Sequence, residues 1–164
     1  MKDKVIVVDM DGVLIDEMDR RREAKELQNS YDTDFFDVYF DEGLAYEYDT
    51  FRRDVISFVK SLSEKYDASV VIVTARPTYF FETQRQIALL RHYGLNIIDV
   101  FTKNSIQDSP TYKKQVIDDL ISSGYKVIMI IDDREDVLQK VKEAYPKIKI
   151  VKIPYNSKKG GKYV

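Results

Sequence analysis

The sequence predicts an α/β fold in which an open parallel sheet of about five strands is covered by helices on both faces. Five short apolar runs rich in β-branched residues lie at 5–8, 70–73, 97–101, 127–131 and 148–151. Each run is too short to form a helix. The first, second and fourth are continuously apolar, which is typical of strands buried on both faces of a parallel sheet.

Helical patterns alternate with these runs, as expected for right-handed βαβ units. Apolar residues recur at helical spacing within 51–66, 116–121 and 137–145. Pro146 ends the third pattern because proline cannot continue a helix. A length of 164 residues is typical of a chain with one core, so we expect a single domain over 1–164.

An insertion interrupts this alternation after the first strand. About 40 residues separate the first strand from the first clear helix, too many for a simple connection, so we expect a small lid at about 16–50. Residues 30–50 hold seven acidic and seven aromatic residues and no Lys or Arg. We expect these aromatic residues to pack against the core, and base stacking is the alternative. Basic residues and glycines at about 156–164 predict a flexible tail.

Three consecutive arginines, Arg20, Arg21 and Arg22, begin the insertion. A cluster of arginines is compatible with binding to nucleic acid. Acidic residues surround this cluster, at Glu17, Asp19, Glu23 and Glu26. The mixed charge instead predicts a helix exposed to solvent.

The composition excludes several classes of protein. The 164 residues include 28 Asp and Glu, 26 Lys and Arg, one His and no Cys. A disulfide framework, a thiolate metal site and a cysteine nucleophile are excluded, and a zinc site with two His ligands is disfavoured. A formal charge of −2 disfavours a DNA-coating protein, and no apolar run approaches the roughly 20 residues of a membrane span. We expect a cytoplasmic protein whose chemistry uses carboxylates, hydroxyls, Lys, Arg or a hard metal.

Four polar clusters lie where the predicted strands end or a helix begins. They are Asp9-Met10-Asp11-Gly12, Thr74-Ala75-Arg76, Lys113 or Lys114, and Asp132-Asp133-Arg134. In open α/β sheets the reactive crevice lies beyond the carboxyl ends of the strands. If the first and fourth strands are neighbours, the four aspartates converge and need a cation to offset their charge. Oxygen ligands without His or Cys predict Mg²⁺.

Such a cluster suits phosphoryl transfer. One carboxylate of an Asp-x-Asp-Gly turn can attack phosphorus, and the other can protonate the leaving oxygen and later activate water. The Thr74 hydroxyl can donate a hydrogen bond to a phosphoryl oxygen, and a lysine can neutralise another. Positioning and charge stabilisation of this kind supply most of what the reaction needs.

These four clusters, in this order, resemble the four motifs of the haloacid dehalogenase (HAD) superfamily of phosphatases. The resemblance extends over about 4–155 and implies a Rossmann-like, HAD-like fold, a phosphoric monoester hydrolase activity and a Mg²⁺ cofactor. It implies that Asp9 is the nucleophile and a Mg²⁺ ligand. It further implies that Asp11 is the general acid and base and offers its backbone carbonyl to the metal.

The same resemblance implies roles for the remaining clusters. Thr74, Ala75 and Lys113 would bind the transferring phosphoryl group, Asp132 would ligate Mg²⁺, and Asp133 would complete the metal site. Lys114 is the alternative phosphate-binding lysine. We prefer Lys113 because it leaves the apolar residues of 116–121 free to pack.

A narrower resemblance concerns the substrate. The segments 74–77, 83–86, 90–95 and 131–134 are similar to the 3′-phosphatase domain of polynucleotide kinase–phosphatases. This similarity implies a polynucleotide 3′-phosphate as substrate. Arg76 and Arg134 are candidates to contact the substrate, and an ion pair at the surface is the alternative for each. The sequence departs from that family in having Ala75 where Gly is usual and Val13 where Thr is usual.

Two alternatives remain open. The segment 9–14 also resembles 5′(3′)-deoxyribonucleotidases, which act on free nucleotides. A domain that only accepts or binds phosphate, such as a receiver domain, also combines acidic residues, Thr and Lys on a parallel sheet. The third predicted strand, however, ends in Phe101-Thr102-Lys103, which offers no carboxylate as a phospho-acceptor.

Overall fold

The computed structural model describes residues 3–154 and the backbone at 158–159 and 162–163. In chain order the elements are β1 (Lys4–Val8), β2 (Ile15–Asp16), α1 (Met18–Tyr31), α2 (Phe35–Tyr39), α3 (Glu42–Tyr48), β3 (Thr50–Phe51), α4 (Arg53–Tyr66), β4 (Ser69–Val73), α5 (Glu82–His92), β5 (Ile97–Phe101), α6 (Ser109–Ser122), β6 (Lys126–Asp132), α7 (Glu135–Ala144), β7 (Lys149–Lys152), β8 (Lys158–Lys159) and β9 (Lys162–Tyr163). The five apolar runs of the sequence correspond to β1, β4, β5, β6 and β7.

These five strands form one parallel sheet in the order β5-β4-β1-β6-β7. The predicted α/β sheet is therefore confirmed. The central strand β1 shows why the fold needs helices on both faces, since its side chains alternate between two buried layers. Ile6 and Val8 pack with α4 and α5, whereas Val5 and Val7 pack with α6 and α7.

The segment after β1 folds as a separate layer beside the sheet. The short strands β2 and β3 pair antiparallel and bring its two ends together. Between them lie α1, α2 and α3, and we call residues 18–48 the insert. Asp34 and Asp41 cap α2 and α3, because their side chains accept hydrogen bonds from Phe36 N at 2.9 Å and Leu44 N at 3.0 Å. The insertion that the sequence predicts at about 16–50 thus consists of three helices closed by a strand pair.

Two further observations concern the ends and surface of the chain. The predicted flexible tail at about 156–164 lies outside the described residues, apart from the antiparallel pair β8 and β9. None of the helices in the described part of the chain combines the length and apolar composition that a membrane span requires.

Candidate active site

The carboxyl ends of β1, β4 and β6 lie side by side because β1 is hydrogen-bonded to both of the other strands. The strands β4 and β5 lie on one side of β1, and the later strands β6 and β7 lie on the other side. Open α/β sheets form their ligand crevices at such a switch in strand order. A cavity of about 730 Å³ opens at this edge. Eight of the residues singled out from the sequence line it: Asp9, Asp11, Thr74, Ala75, Arg76, Lys113, Asp133 and Arg134. The four clusters are therefore brought to one site.

Three aspartates face one another on one side of the cavity. One carboxylate oxygen from each of Asp9, Asp132 and Asp133 lies within 4.8 Å of the others. Lys113 reaches this group from α6, with its Nζ 3.0 Å from Asp9 Oδ1 and 2.6 Å from Asp132 Oδ2. Asp132 is almost fully buried beneath the cavity, and its other oxygen accepts a hydrogen bond from the Arg134 backbone N–H at 3.0 Å. One lysine thus faces three carboxylates.

The protonation of this group follows from its burial and from its excess of negative charge. Burial raises the pKa of Asp9 well above its usual value, and Asp132, Asp133 and Asp11 raise it further against the opposing effect of Lys113. Burial and the charge of Asp132 likewise raise the pKa of Asp133 to about 6. The pKa of Lys113 lies above its usual value, because Asp9 and Asp132 outweigh the effect of its burial.

The donor set fits a hard divalent cation. All three side chains offer carboxylate oxygens, which are the ligands that Mg²⁺ prefers. Asp9, Asp132 and Asp133 also share one ammonium group, Lys113, so the three carboxylates carry more negative charge than this lysine offsets. A bound cation would supply the missing positive charge.

Asp11 has the opposite surroundings, although only one residue separates it from Asp9. Arg76 donates to both of its oxygens, from Nη2 to Oδ1 at 2.6 Å and from Nε to Oδ2 at 3.1 Å. Arg20 Nη2 donates to Oδ1 at 2.9 Å. Although Asp11 is buried, Arg76 and Arg20 hold the pKa of its carboxyl well below the usual range. Two guanidinium groups therefore keep Asp11 ionised.

A second layer of polar side chains holds the two arginines. Asp49 Oδ1 accepts a hydrogen bond from Arg20 Nε at 2.9 Å, and Asp49 Oδ2 accepts one from Gln86 Nε2 at 2.9 Å. Thr83 Oγ1 accepts one from Arg76 Nη1 at 3.2 Å. Burial raises the pKa of Asp49 to about 6 despite the nearby arginines. These hydrogen bonds connect the insert to α5 and to the loop after β4.

The position of Arg20 corrects the prediction that the helix of Arg20–Arg22 is exposed. Arg20 is fully buried, and its guanidinium lies 4.4 Å from the Tyr39 ring centroid and 5.3 Å from that of Phe80. Arg22 is exposed as predicted and pairs with Asp19. The prediction was wrong for Arg20 because its partners Asp11 and Asp49 are distant in sequence, so the local charge pattern did not indicate them.

Arg76 and Arg134 were both predicted to contact substrate. The guanidinium of Arg76 is buried and bound to Asp11, so its hydrogen bonds in this structure go to the protein. Arg134 is half-exposed at the cavity, and its guanidinium pairs with Asp136 at 2.6 Å. Asp136 lies in the first turn of α7.

The remaining phosphate-binding candidates also occupy defined positions. The buried Thr74 Oγ1 accepts a hydrogen bond from the Arg76 backbone N–H at 3.2 Å, which leaves its hydroxyl hydrogen to be donated. Ala75 is exposed at the cavity. Lys114 pairs with Asp118, a residue of its own helix, at 2.9 Å. The structure thus places Lys113, and not Lys114, beside Asp9.

Gly12 allows the loop after β1 to approach the β6 loop closely. Its φ of +81° is a conformation that favours glycine. A Cβ atom at this position would clash with the Asp133 carboxylate. Glycine at position 12 therefore lets the Asp133 carboxylate lie against the backbone of the first cluster.

The aromatic residues of the insert differ in burial, and Phe35 and Tyr48 are partly buried. Tyr39 is buried and Phe40 contacts the Phe80 ring at a centroid distance of 5.4 Å, which confirms packing against the core for these two. Tyr31, Phe36 and Tyr46 are exposed, so the prediction of packing was wrong for them. Phe36, Tyr39 and Phe40 line the cavity that contains Asp9.

Comparison with known proteins identifies the fold. No family model matches the sequence, and a search of curated proteins found no match. A chain of the Pnkp1/Rnl/Hen1 complex is 16% identical with a TM-score of 0.63, over 95% of this chain and 47% of that one. This protein therefore spans less than half the length of that chain.

Two further solved structures match over most of both chains. CbbY from Rhodobacter sphaeroides, in complex with phosphate, is 12% identical with a TM-score of 0.64 over 92% of this chain and 85% of that one. A haloacid dehalogenase-like family hydrolase from Streptococcus pneumoniae is 15% identical with a TM-score of 0.57 over 86% and 80%. At these identities the likeness concerns the fold, and it agrees with the resemblance of the sequence motifs. The chain has the haloacid dehalogenase-like fold.

Proposed function

We propose that this protein is a Mg²⁺-dependent phosphatase that hydrolyses a phosphomonoester through an aspartyl-phosphate at Asp9. The main support is the convergence of the sequence clusters on a single cavity, with Asp9, Thr74 and Lys113 facing the same space. A carboxylate nucleophile, a hydroxyl donor and an ammonium group are the parts that phosphoryl transfer requires.

In the first step, Asp9 attacks phosphorus and the bond between phosphorus and the ester oxygen breaks. The leaving oxygen takes a proton from Asp11 to become an alcohol. Lys113 and the Thr74 hydroxyl stabilise the negative charge on the phosphoryl oxygens during the transfer. In the second step, Asp11 takes a proton from water, which attacks the aspartyl-phosphate and releases inorganic phosphate.

Asp9, Asp132 and Asp133, with the Asp11 backbone carbonyl, would hold the Mg²⁺ ion. When bound, the ion neutralises carboxylate charge and the negative charge of the phosphoryl group. Asp9 has to be ionised to act as a nucleophile, and its raised pKa shows that the protein alone opposes this state. Metal binding and the nucleophilic form of Asp9 are therefore coupled.

The ion pairs of Asp11 affect the two steps differently. An ionised carboxylate is ready to accept a proton from water in the second step. In the first step Asp11 has to be protonated before it can donate, and Arg20 and Arg76 oppose protonation. We expect esters with acidic leaving groups, such as aryl phosphates, to react fastest because they depend least on this proton.

For the physiological substrate we propose a nucleic-acid end with a 3′-phosphate. The similarity to a chain of the Pnkp1/Rnl/Hen1 complex, which one structure describes as an RNA repair complex, supports this choice. Lys103 and Arg134 also line the cavity and offer positive charge beyond the site of transfer. A free mononucleotide is the second candidate, because the cavity of about 730 Å³ is large enough for a ligand of that size.

The reaction class is tested by Mg²⁺-dependent release of phosphate from an aryl phosphate. We expect Asp9→Asn to abolish turnover, whereas Asp136→Asn, a control in the first turn of α7, retains it. Turnover by Asp9→Asn at the wild-type rate would exclude Asp9 as the nucleophile. An inactive wild-type protein that still binds phosphate would favour the non-enzymatic alternative.

The substrate is tested with 3′-phosphorylated oligonucleotides, their 5′-phosphorylated counterparts and mononucleotides of the same base. We expect the highest kcat/KM for the 3′-phosphorylated oligonucleotide. Faster hydrolysis of the mononucleotides would contradict the proposed substrate while leaving the phosphatase mechanism intact.

A further inference from the structure

Phe36 is an exposed aromatic side chain in the wall of the candidate active site. The residue is 60% exposed, yet it lines the same cavity as Asp9. The side chain is also well supported. The Asp34 carboxylate accepts a hydrogen bond from the Phe36 N–H at 2.9 Å, and the Phe40 ring lies nearly parallel to it at a centroid distance of 6.0 Å.

The neighbouring aromatic residues of the cavity are already engaged by the protein. Arg20 and Arg21 lie over the Tyr39 ring at 4.4 and 4.9 Å, and the Tyr39 hydroxyl donates to Glu17 at 2.8 Å. Phe40 packs edge-on against Phe80. Among the aromatic residues that line this cavity in the described part of the chain, Phe36 is the most exposed.

The charges around Phe36 indicate which part of a ligand fits there. Asp34 and Asp37 flank it and are exposed, and residues 30–50 contain no Lys or Arg. A phosphate is therefore disfavoured beside the ring, whereas an uncharged planar group is not. Arg21 also lines the cavity, but its guanidinium lies over the Tyr39 ring and donates to Glu17, and the cations Lys103 and Arg134 belong to other loops.

We infer that Phe36 is a stacking surface for the nucleobase of the nucleotide whose phosphate reacts at Asp9. The inference rests on the proposed function, because it takes the phosphate to be bound at Asp9. Stacking on an aromatic ring tolerates every base, since each base has a π-face. The nucleobase belongs either to a free nucleotide or to the terminal nucleotide of a strand.

The test compares two ligands that differ only in the base. They are deoxyadenosine 3′-monophosphate and the same deoxyribose phosphate with hydrogen in place of adenine. Equilibrium binding is measured by calorimetry with Mg²⁺ on the Asp9→Asn background, so that the result does not depend on turnover. We expect the base to tighten binding about tenfold, the order expected for one stacked base.

Variants of Phe36 assign this gain to the ring. In the same background, Phe36→Ala removes the tenfold gain and Phe36→Tyr retains it. Phe81→Ala is the matched control, because Phe81 is 65% exposed and does not line the cavity; it leaves both affinities unchanged. An equal affinity for the two ligands, or an equal loss for both in Phe36→Ala, would overturn the inference.

A third ligand, a 3′-phosphorylated trinucleotide, distinguishes the two sources of the base. Binding that depends on Phe36 for both the trinucleotide and the mononucleotide supports stacking at a strand end. If only the binding of the mononucleotide depends on Phe36, stacking of a free nucleotide is supported. If the binding of neither ligand depends on Phe36, the inference is overturned.

Failure of the proposed function gives a different result. If the wild-type protein hydrolyses neither ligand but binds the base through Phe36, the stacking surface is supported and the phosphatase function is contradicted. If the protein hydrolyses both ligands with equal kcat/KM and Phe36→Ala changes neither value, the phosphatase function is supported and the stacking surface is contradicted.

Discussion

Asp9 and Asp11 are separated by one residue and have opposite electrostatic surroundings. Asp9 shares Lys113 with Asp132 and lies close to Asp133, whereas Asp11 alone receives hydrogen bonds from two arginines. The pKa of Asp9 is raised by burial and neighbouring acids, and the pKa of Asp11 is lowered by Arg76 and Arg20. The protein thus surrounds Asp11 with its own cations, whereas Asp9 has one lysine that it shares with Asp132.

The largest expected effect concerns the catalytic role of Asp11. Asp11→Asn keeps the shape of the side chain but removes its proton transfer, so we expect kcat to fall by about 10²- to 10⁴-fold. Mg²⁺ affinity should change little, because the proposed metal ligands are Asp9, Asp132, Asp133 and a backbone carbonyl. Phosphate release and Mg²⁺ titration calorimetry measure the two properties. A fully active Asp11→Asn would remove the acid and base role.

The next effect concerns the arginine pair, Arg20 and Arg76, and its contribution to the stability of the protein. Arg20→Met retains much of the volume but leaves Asp11 and Asp49 buried with one guanidinium fewer, so the free energy of unfolding should fall by about 3–5 kcal/mol. The matched control is Arg22→Met, whose side chain is 66% exposed and should change stability by less than about 0.5 kcal/mol. Urea denaturation measures both variants. An Arg20→Met variant as stable as the wild type would show that the buried ion pairs of Arg20 make no net contribution to stability.

The third effect concerns metal binding at Asp9, Asp132 and Asp133. Free Mg²⁺ at about 100 times its Kd should raise the free energy of unfolding by about 2.7 kcal/mol, because the unfolded chain lacks the site. Asp133→Asn should weaken this stabilisation, whereas Asp136→Asn should not. Urea denaturation with and without EDTA measures it, and an identical Mg²⁺ effect in Asp133→Asn would exclude that residue as a ligand.

The smallest expected effect is the dependence of stability on pH. Folding raises the pKa of Asp133 to about 6, so without metal the folded protein holds more protons than the unfolded chain between about pH 4 and 6. The contribution of this residue therefore increases stability as pH falls from 7.5 to 5. Asp11 contributes in the opposite sense, because its lowered pKa gives stability that is lost only as pH falls below about 4.

Urea denaturation in EDTA at pH 7.5 and pH 5 measures this dependence. Asp133→Asn should lose about 1–2 kcal/mol of the gain between the two pH values, and Asp136→Asn should keep it. A wild-type gain that is the same in Asp133→Asn would refute the assignment to that residue.

The sheet could be predicted from sequence because buried parallel strands have a local signature. Val5–Val8 are apolar without interruption, and the strand is fully buried between two helical layers. The clusters of the candidate site could be predicted because strand ends converge wherever strands are neighbours, and Asp9 and Asp132 follow or end adjacent strands. These inferences need only short segments and the topology of the sheet.

The arginine pair could not be predicted in the same way. Arg20 lies in a polar stretch, and its partner Asp49 is 29 residues away at the other end of the insert. Only the folding of the insert back onto the sheet brings them together, and no periodic pattern in the sequence indicates that contact. The absence of Lys and Arg from 30–50 was the available signal, because it left Asp49 in need of a distant cation.

The pairing of β2 with β3 brings the two ends of the insert together at the rim of the sheet. An element attached at two adjacent points is easily exchanged in evolution for one of another length, because the sheet beneath it need not change. Arg20 limits that freedom, since it contacts Asp11 from within the insert. A replacement insert without a cation at this position would leave Asp11 with Arg76 as its remaining arginine partner, so the length of the insert and the charge balance around Asp11 are linked through one side chain.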